Sequence, residues 1–220
     1  MLQAARALER AGTPFLGPGA AVMERCYDKY TAGSIAAANG IACPATALAG
    51  NAEGMSFPLI LKPRRGSDSI GLRVLSAGPI PARVRNDAHI VQEQVRGTEL
   101  TIGVIRQDAG MALRIFLPEG IPYSFGRKYL RRPRSAPLID PFLAQRARNE
   151  ALRIAAMLGT DWAVRVDLMH ETATDRLCFL ECDAAPLIGP RSAFAASLAA
   201  AGITRAQQLR LLLTKSAVPS

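Results

Sequence analysis

Residues 162–186 read WAVRVDLMHETATDRLCFLECDAAP. An apolar run broken only by Arg165 and Asp167 leads into the polar hexapeptide HETATD. A second apolar run then ends on Glu181, Cys182 and Asp183. Side chains two apart on a strand share a face. Arg165 therefore lies with Asp167, and Glu181 with Asp183, while Cys182 points the other way. The polar turn predicts that the two runs pair as strands. If their faces match, Asp167, Glu181 and Asp183 converge beside Arg165. Adjacent carboxylates repel unless a cation or a proton lies between them. Such a cluster is a hard-oxygen site suited to Mg2+ and phosphate oxygens. The alternative is a strand end whose acids are solvated, and spacing alone leaves both open.

Working outward, FPLILKP (57–63) reads as a buried strand stopped by Pro63, with Lys62 at its end. The glycine- and serine-containing loop RRGSDSIG follows. A lysine there can meet a phosphate as a point charge while loop N–H groups cradle the other oxygens. No Walker A pattern is present, and a lysine at a strand end is otherwise simply exposed. FGRKYLRRPRS (125–135) interleaves Phe125 and Tyr129 with Arg127, Lys128, Arg131, Arg132 and Arg134. It suits a nucleic-acid contact, a lid over nucleotide phosphates, or a solvated basic loop.

LRVLS, HIVQEQV, and a hairpin of TELTIGVI and MALRIFL around RQDAG supply further strands. Asp28 is expected to cap a helix ending near Gly40, and Asp140 one ending at Gly159. A first helix stops near Gly12, a Pro/Gly connector follows, and two Ala/Leu-rich helices close the chain. Strands and helices alternate irregularly, which predicts α+β rather than a doubly wound parallel sheet. A boundary near Gly97 divides two halves, each with a small sheet and helices.

The 220 residues are 49% hydrophobic with a formal net charge of +9. The surplus suits an anionic partner: a nucleotide, an acidic metabolite or a nucleic acid. A solvated basic surface is the alternative. No run reaches the ~20 apolar residues that span a bilayer, and the first residues lack a signal peptide's apolar core. A cytoplasmic location follows by default. Cys26, Cys43, Cys178 and Cys182 form no C-x-x-C pair and read as buried free thiols.

Taken in order, CYDKY with NGIACPAT, FPLILKPRRGSDSIG, IVQEQVRGTEL, SFGRKYL, WAVRVDLM and FLECDAAPLIGPRS resemble the ATP-grasp superfamily. The resemblance is greatest to the D-alanine–D-alanine ligase family and covers nearly the whole chain. It implies an ATP-grasp fold, with ATP and Mg2+ bound between two α+β subdomains. By position, Lys29 and Lys62 would contact ATP phosphates, and Lys128 the γ-phosphate from a mobile loop. Gln92, where the family usually has Glu, would lie with the backbone of Glu93 and Val95 at the adenine. Glu99 would hold the ribose. Ser69, retained from a pair of serines, joins the nucleotide-binding set. Asp167, Glu181 and Asp183 match the magnesium ligands. Arg165 would steady the tetrahedral intermediate, and Ser192 the second substrate's carboxylate.

Three further residues depart from the family pattern. Asp183 replaces Asn, Leu187 replaces a glycine of the substrate pocket, and Asp68 replaces a serine that orients the first substrate. The chain is expected to begin at the tail of the family's N-terminal domain. Residues 1–20 would be that remnant and a linker, 21–97 the small subdomain, and 98–220 the large one. The implied activity is ATP-dependent ligation of a carboxylate to an amine through an acyl phosphate. The alternative is an inactive or partner-dependent nucleotide-binding protein. Expected partners are a small-molecule carboxylate and amine, with no membrane and nucleic acid disfavoured. A homodimer, or a partner supplying the N-terminal domain, stays open.

Overall fold

The structure is a computed structural model that describes residues 1–66, 71–116 and 134–214. Ser69, Asp68 and Lys128, with Arg127, Arg131 and Arg132, lie outside the described residues.

Three helices open the chain: α1 (Leu2–Arg10), α2 (Ala20–Tyr27) and α3 (Lys29–Ala38). α2 begins inside the expected connector. It has no side-chain N-cap of its own; Glu9 of α1 instead accepts the Ala20 N–H at 2.7 Å. α3 starts where Asp28 predicts, with the carboxylate accepting the Thr31 N–H at 3.1 Å.

A four-stranded antiparallel sheet follows, in the order β1 (Thr46–Leu48), β4 (His89–Glu93), β2 (Leu59–Pro63), β3 (Arg73–Leu75). β4 stops at Glu93, short of the expected Val95: the Gln94 N–H still bonds the facing Pro58 carbonyl at 3.3 Å, but the proline has no N–H to return. Ala49, Ala52, Leu61 and Val91 form the core behind this sheet.

The second sheet runs β10 (Arg176–Asp183), β9 (Ala163–Glu171), β5 (Gly97–Ile105), β7 (Leu113–Ile115), β8 (Ser135–Pro137), with β6 (Asp108–Ala109) paired to β5. The predicted hairpin is tighter than RQDAG suggests. The chain reverses through Arg106, at φ +56°, and pairs again at once. α4 (Pro141–Met157) covers one face, with Asp140 accepting the N–H groups of Phe142 and Leu143. Its Ala147, Ala151 and Ile154 pack with Leu100, Ile102, Val164 and Val166.

Cys26, Ala32 and Ala36 belong to this same core. α2 and α3 thus bury apolar residues against the second sheet although they precede the first. The opposite face is closed by α5 (Ala193–Ala200) and α6 (Arg205–Leu213), through Phe194, Leu198 and Leu212 against Ile105 and Ala163. Among the described residues no helix is long and apolar enough to cross a membrane.

Candidate active site

β9 and β10 are antiparallel neighbours, as the turn predicts, but their register changes within the pair. Glu171 faces Arg176 and Leu168 faces Phe179; beyond a bulge at Leu180, Asp167 faces Glu181 and Arg165 faces Asp183. Opposed residues share a face. The core accordingly takes Leu177 and Phe179 before the bulge but Cys182 and Ala184 after it. Carried on unbroken, with Leu180 paired to Asp167, the register set at the turn would aim Glu181 and Asp183 into the core beside Val166 and Val164. Burying two carboxylates there costs several kcal/mol each, of order. One unpaired residue at a bulge is a smaller loss.

The bulge brings the four predicted residues together. Arg165 is buried; its Nε and Nη2 donate to Asp167 Oδ1 and Oδ2 at 3.0 and 2.9 Å. The same guanidinium lies 3.9 Å from Glu181 and 3.6 Å from Asp183. Burial pushes the Arg165 pKa down, but Asp167, Asp183 and Glu181 outweigh it and hold the group charged. Burial pushes the Asp183 carboxyl above its usual range, against the opposing pull of Arg165. Thr101, on β5 across from Asp167, donates its hydroxyl to Asp167 Oδ1 at 2.6 Å.

The donors here are carboxylate oxygens, which fits a hard divalent cation. Yet no group of three or more His, Cys, Asp and Glu side chains gathers to hold a metal ion among the described residues. Arg165 supplies the shared counter-charge.

The cations of the first sheet face this cluster. Lys62 is 8% exposed, and its Nζ donates to Gln92 Oε1 at 2.9 Å. The Gln92 amide in turn donates to Thr46 Oγ1 at 2.9 Å. Burial lowers the Lys62 pKa to about 8; Glu181 and Glu99 oppose this fall and Lys29 adds to it. Lys29, the first residue of α3, sits 3.7 Å from Glu181 and donates to the Gly66 carbonyl.

Asp28 holds that junction. It is 2% exposed and accepts Arg64 Nε at 2.9 and 2.8 Å, with Arg65 at 3.1 Å. The Lys29 N–H donates to the Arg64 carbonyl at 3.0 Å. Burial pushes the Asp28 carboxyl up, but the bonds from Arg64 and Thr31 outweigh it and leave its pKa lowered.

Glu99 is half-buried on β5, two residues from Thr101 and on the same face, near enough to influence Lys62. Glu93 is exposed, and its N–H is committed to the Ala45 carbonyl at 2.8 Å. Val95 is half-buried beyond the end of β4. Ser192 caps α5, accepting the Ala195 N–H at 3.1 Å, and makes no hydrogen bond to the acidic cluster among the described residues. Leu187 is 64% exposed in the loop between cluster and cap.

Sequence reasoning missed Thr101, Thr46 and the second role of Asp28. Thr101 carried a signal, since it lies two residues from Glu99 on a predicted strand. The tie from Asp28 to Arg64 carried none, because it joins segments distant in sequence.

The family described as D-ala D-ala ligase C-terminus matches residues 41–214. A D-alanine–D-alanine ligase of Nitrosospira multiformis is 30% identical over 214 residues, covering 90% of this chain and 69% of that protein. One from Acidiphilium cryptum is 28% identical, covering 89% and 69%. Thus the chain spans about two thirds of the length of these relatives. The fold is similar to that of the VanG D-Ala:D-Ser ligase of Enterococcus faecalis, with a TM-score of 0.81 at 24% identity, over 96% of this chain and 67% of that one. It is also similar to the Bacillus anthracis D-alanine–D-alanine ligase in complex with ATP, with a TM-score of 0.77 at 20% identity, over 96% and 72%. Two α+β sheets facing each other across lysines and carboxylates are the ATP-grasp architecture, and the chain belongs to the D-alanine–D-alanine ligase family of ATP-dependent carboxylate–amine ligases.

Proposed function

We propose that the seam between the two sheets binds Mg2+–ATP and that the chain joins a small amino-acid-like carboxylate to an amine. The observation that carries this reading is Glu181. It lies within ion-pair reach of Arg165 on its own sheet and of Lys29, which is tied to the loop after β2. A polyanion and a divalent cation fit a seam where lysines meet carboxylates.

In this reading Lys29 and Lys62, with Lys128 and Ser69, neutralise the ATP phosphates. The segment Gln92–Val95 meets the adenine and Glu99 the ribose. Residues 21–97 and 98–220 act as two lobes, with α2 and α3 of the first docked on the core of the second and 1–20 leading into them. Asp167, Glu181 and Asp183 would hold Mg2+, which would supply charge screening between the phosphates and the incoming carboxylate. The carboxylate oxygen takes the γ-phosphoryl group and ADP leaves. The amine nitrogen then attacks the acyl carbon, loses a proton and expels inorganic phosphate. Catalysis is mainly positioning and charge stabilisation. Arg165 steadies the oxyanion formed by attack, and Ser192 orients the amine substrate's carboxylate. Exposed Leu187 gives the amine site an apolar wall. Free thiols at Cys26, Cys43, Cys178 and Cys182 suit a reducing, cytoplasmic setting.

Calorimetry with Mg2+–ATP, on the wild type and on Glu181→Ala with Asp183→Ala, tests the site. Metal-dependent binding lost in the double variant is the expected result. ADP release on adding D-alanine and other small amino acids then tests ligation. ATP binding with no ADP release from any pair would leave a nucleotide-binding protein. No ATP binding would overturn the reading.

A further inference from the structure

Lys62 is a buried cation whose hydrogen-bond acceptor is a neutral amide. No carboxylate pairs with it among the described residues. The acceptor is itself held: β1, β4 and β2 are adjacent strands, with Gln92 directly across from Thr46 on one side and Ile60 on the other. Thr46 Oγ1 accepts from Gln92 Nε2, so the amide oxygen must turn toward Lys62. Thr46 Oγ1 in turn donates to the Pro44 carbonyl at 2.9 Å, which fixes the hydroxyl as the acceptor of that amide. Gln92 is 8% exposed, so its amide is largely spent within the protein.

We propose that Thr46 and Gln92 are positioning residues for Lys62: the chain Pro44–Thr46–Gln92–Lys62 holds the ammonium on a neutral acceptor, leaving its charge for a polyphosphate. This rests on the ATP reading above and changes the part given to Gln92, whose side chain acts on phosphate affinity through Lys62 rather than on the base. A carboxylate at position 92 would form an ion pair with Lys62 and divide its charge between the protein and a phosphate. An amide orients the lysine without cancelling it.

The charged groups facing Lys62 are Glu181 from β10, Lys29 from α3 and Glu99 from β5. None belongs to its own sheet. A change at position 92 therefore alters the lysine's nearest polar neighbour while those three stay in place.

The test compares Mg2+–ATP with Mg2+–tripolyphosphate, which has no base, by calorimetry from about pH 6.5 to about pH 9.5. Wild type, Gln92→Glu, Gln92→Leu and Thr46→Val are used as the full 220-residue chain, each checked for folding by thermal unfolding. Wild-type affinity for both probes is expected to fall as pH rises past about 8. Gln92→Glu should move that fall up by about one pH unit or more and weaken both probes at neutral pH. Gln92→Leu should move it down. Thr46→Val should weaken both probes alike, by roughly three- to tenfold.

Variants that weaken ATP but leave tripolyphosphate unchanged would assign Gln92 to the base and overturn the relay. A pH profile identical in all four proteins overturns it too. Lysine side-chain titration followed by NMR gives a readout without ligand. If the wild type binds neither probe, the ATP reading fails; an unmoved Lys62 titration in Gln92→Glu separately removes the relay.

Discussion

Asp167 on β9 stands directly across from Glu181 on β10, and it does so because the ladder between the two strands passes over Leu180 at a bulge. The whole acidic cluster depends on that register. Deleting Leu180 removes the bulge but keeps Glu181 opposite Asp167 and Asp183 opposite Arg165. Inserting an alanine after Leu180 lets Leu180 pair Asp167 and the new residue pair Val166, so the two carboxylates stay on the site face but slide one pair along, Glu181 opposite Arg165 and Asp183 opposite Ala163. The deletion is expected to retain Mg2+–ATP binding and the insertion to abolish it, as read by calorimetry. Equal loss in both would show that the bend of the bulge, not the register of the carboxylates, matters.

Arg165 is shared by three carboxylates, so its removal leaves like charges together. Arg165→Met is expected to cost about 3–5 kcal/mol in urea unfolding, because buried Asp167 loses its partner. Millimolar Mg2+ should raise the melting temperature of the variant more than that of the wild type, since a divalent ion can replace the lost charge. An equal Mg2+ effect on both would argue against cation binding at these acids.

Lys62 is expected to trade stability for function. Its folded pKa is depressed from 10.5 to about 8. Below about 8 it is charged in both states, and the full desolvation cost is present. Between about 8 and 10.5 the unfolded chain binds the additional proton, so stability rises with pH across that window. Lys62→Met should therefore stabilise the fold by roughly 3 kcal/mol at neutral pH. The gain should fade by about pH 10.5, while nucleotide affinity is lost throughout. Urea unfolding at several pH values measures the first, and calorimetry the second.

Asp28 joins a helix cap to an arginine clamp. Asp28→Ala loses the cap, worth about 1 kcal/mol, and the charge-assisted bond from Arg64, about 1.5–3 kcal/mol, while mostly exposed Arg65 adds little. A total loss of about 3 kcal/mol is expected, with weaker ATP binding because Lys29 and the Arg64–Gly66 backbone lose their tie. Asp28→Asn should keep the cap and cost about half as much. A stability loss with ATP affinity unchanged would separate the clamp from the site.

Much of this protein was settled by the sequence itself wherever the signal is local. Asp28 and Asp140 mark helix starts because a side-chain oxygen a few residues away satisfies N–H groups that the helix leaves open. Short apolar runs bounded by Pro63 and by the polar turn identify β2, β9 and β10, and the types at Arg165, Asp167, Glu181 and Asp183 announce a site of charge and hard oxygen. Tertiary structure alone decided the rest. The turn at residues 172–175 sets a register that sends Glu181 and Asp183 to the wrong face. Only the cost of burying them against Val164 and Val166 makes the strand bulge at Leu180. The Thr46–Gln92–Lys62 chain needs three strands in register. Packing of α2 and α3 on the second sheet needs a core built largely from residues 100–184. These choices depend on what lies opposite each residue in space, so no stretch read by itself contains them.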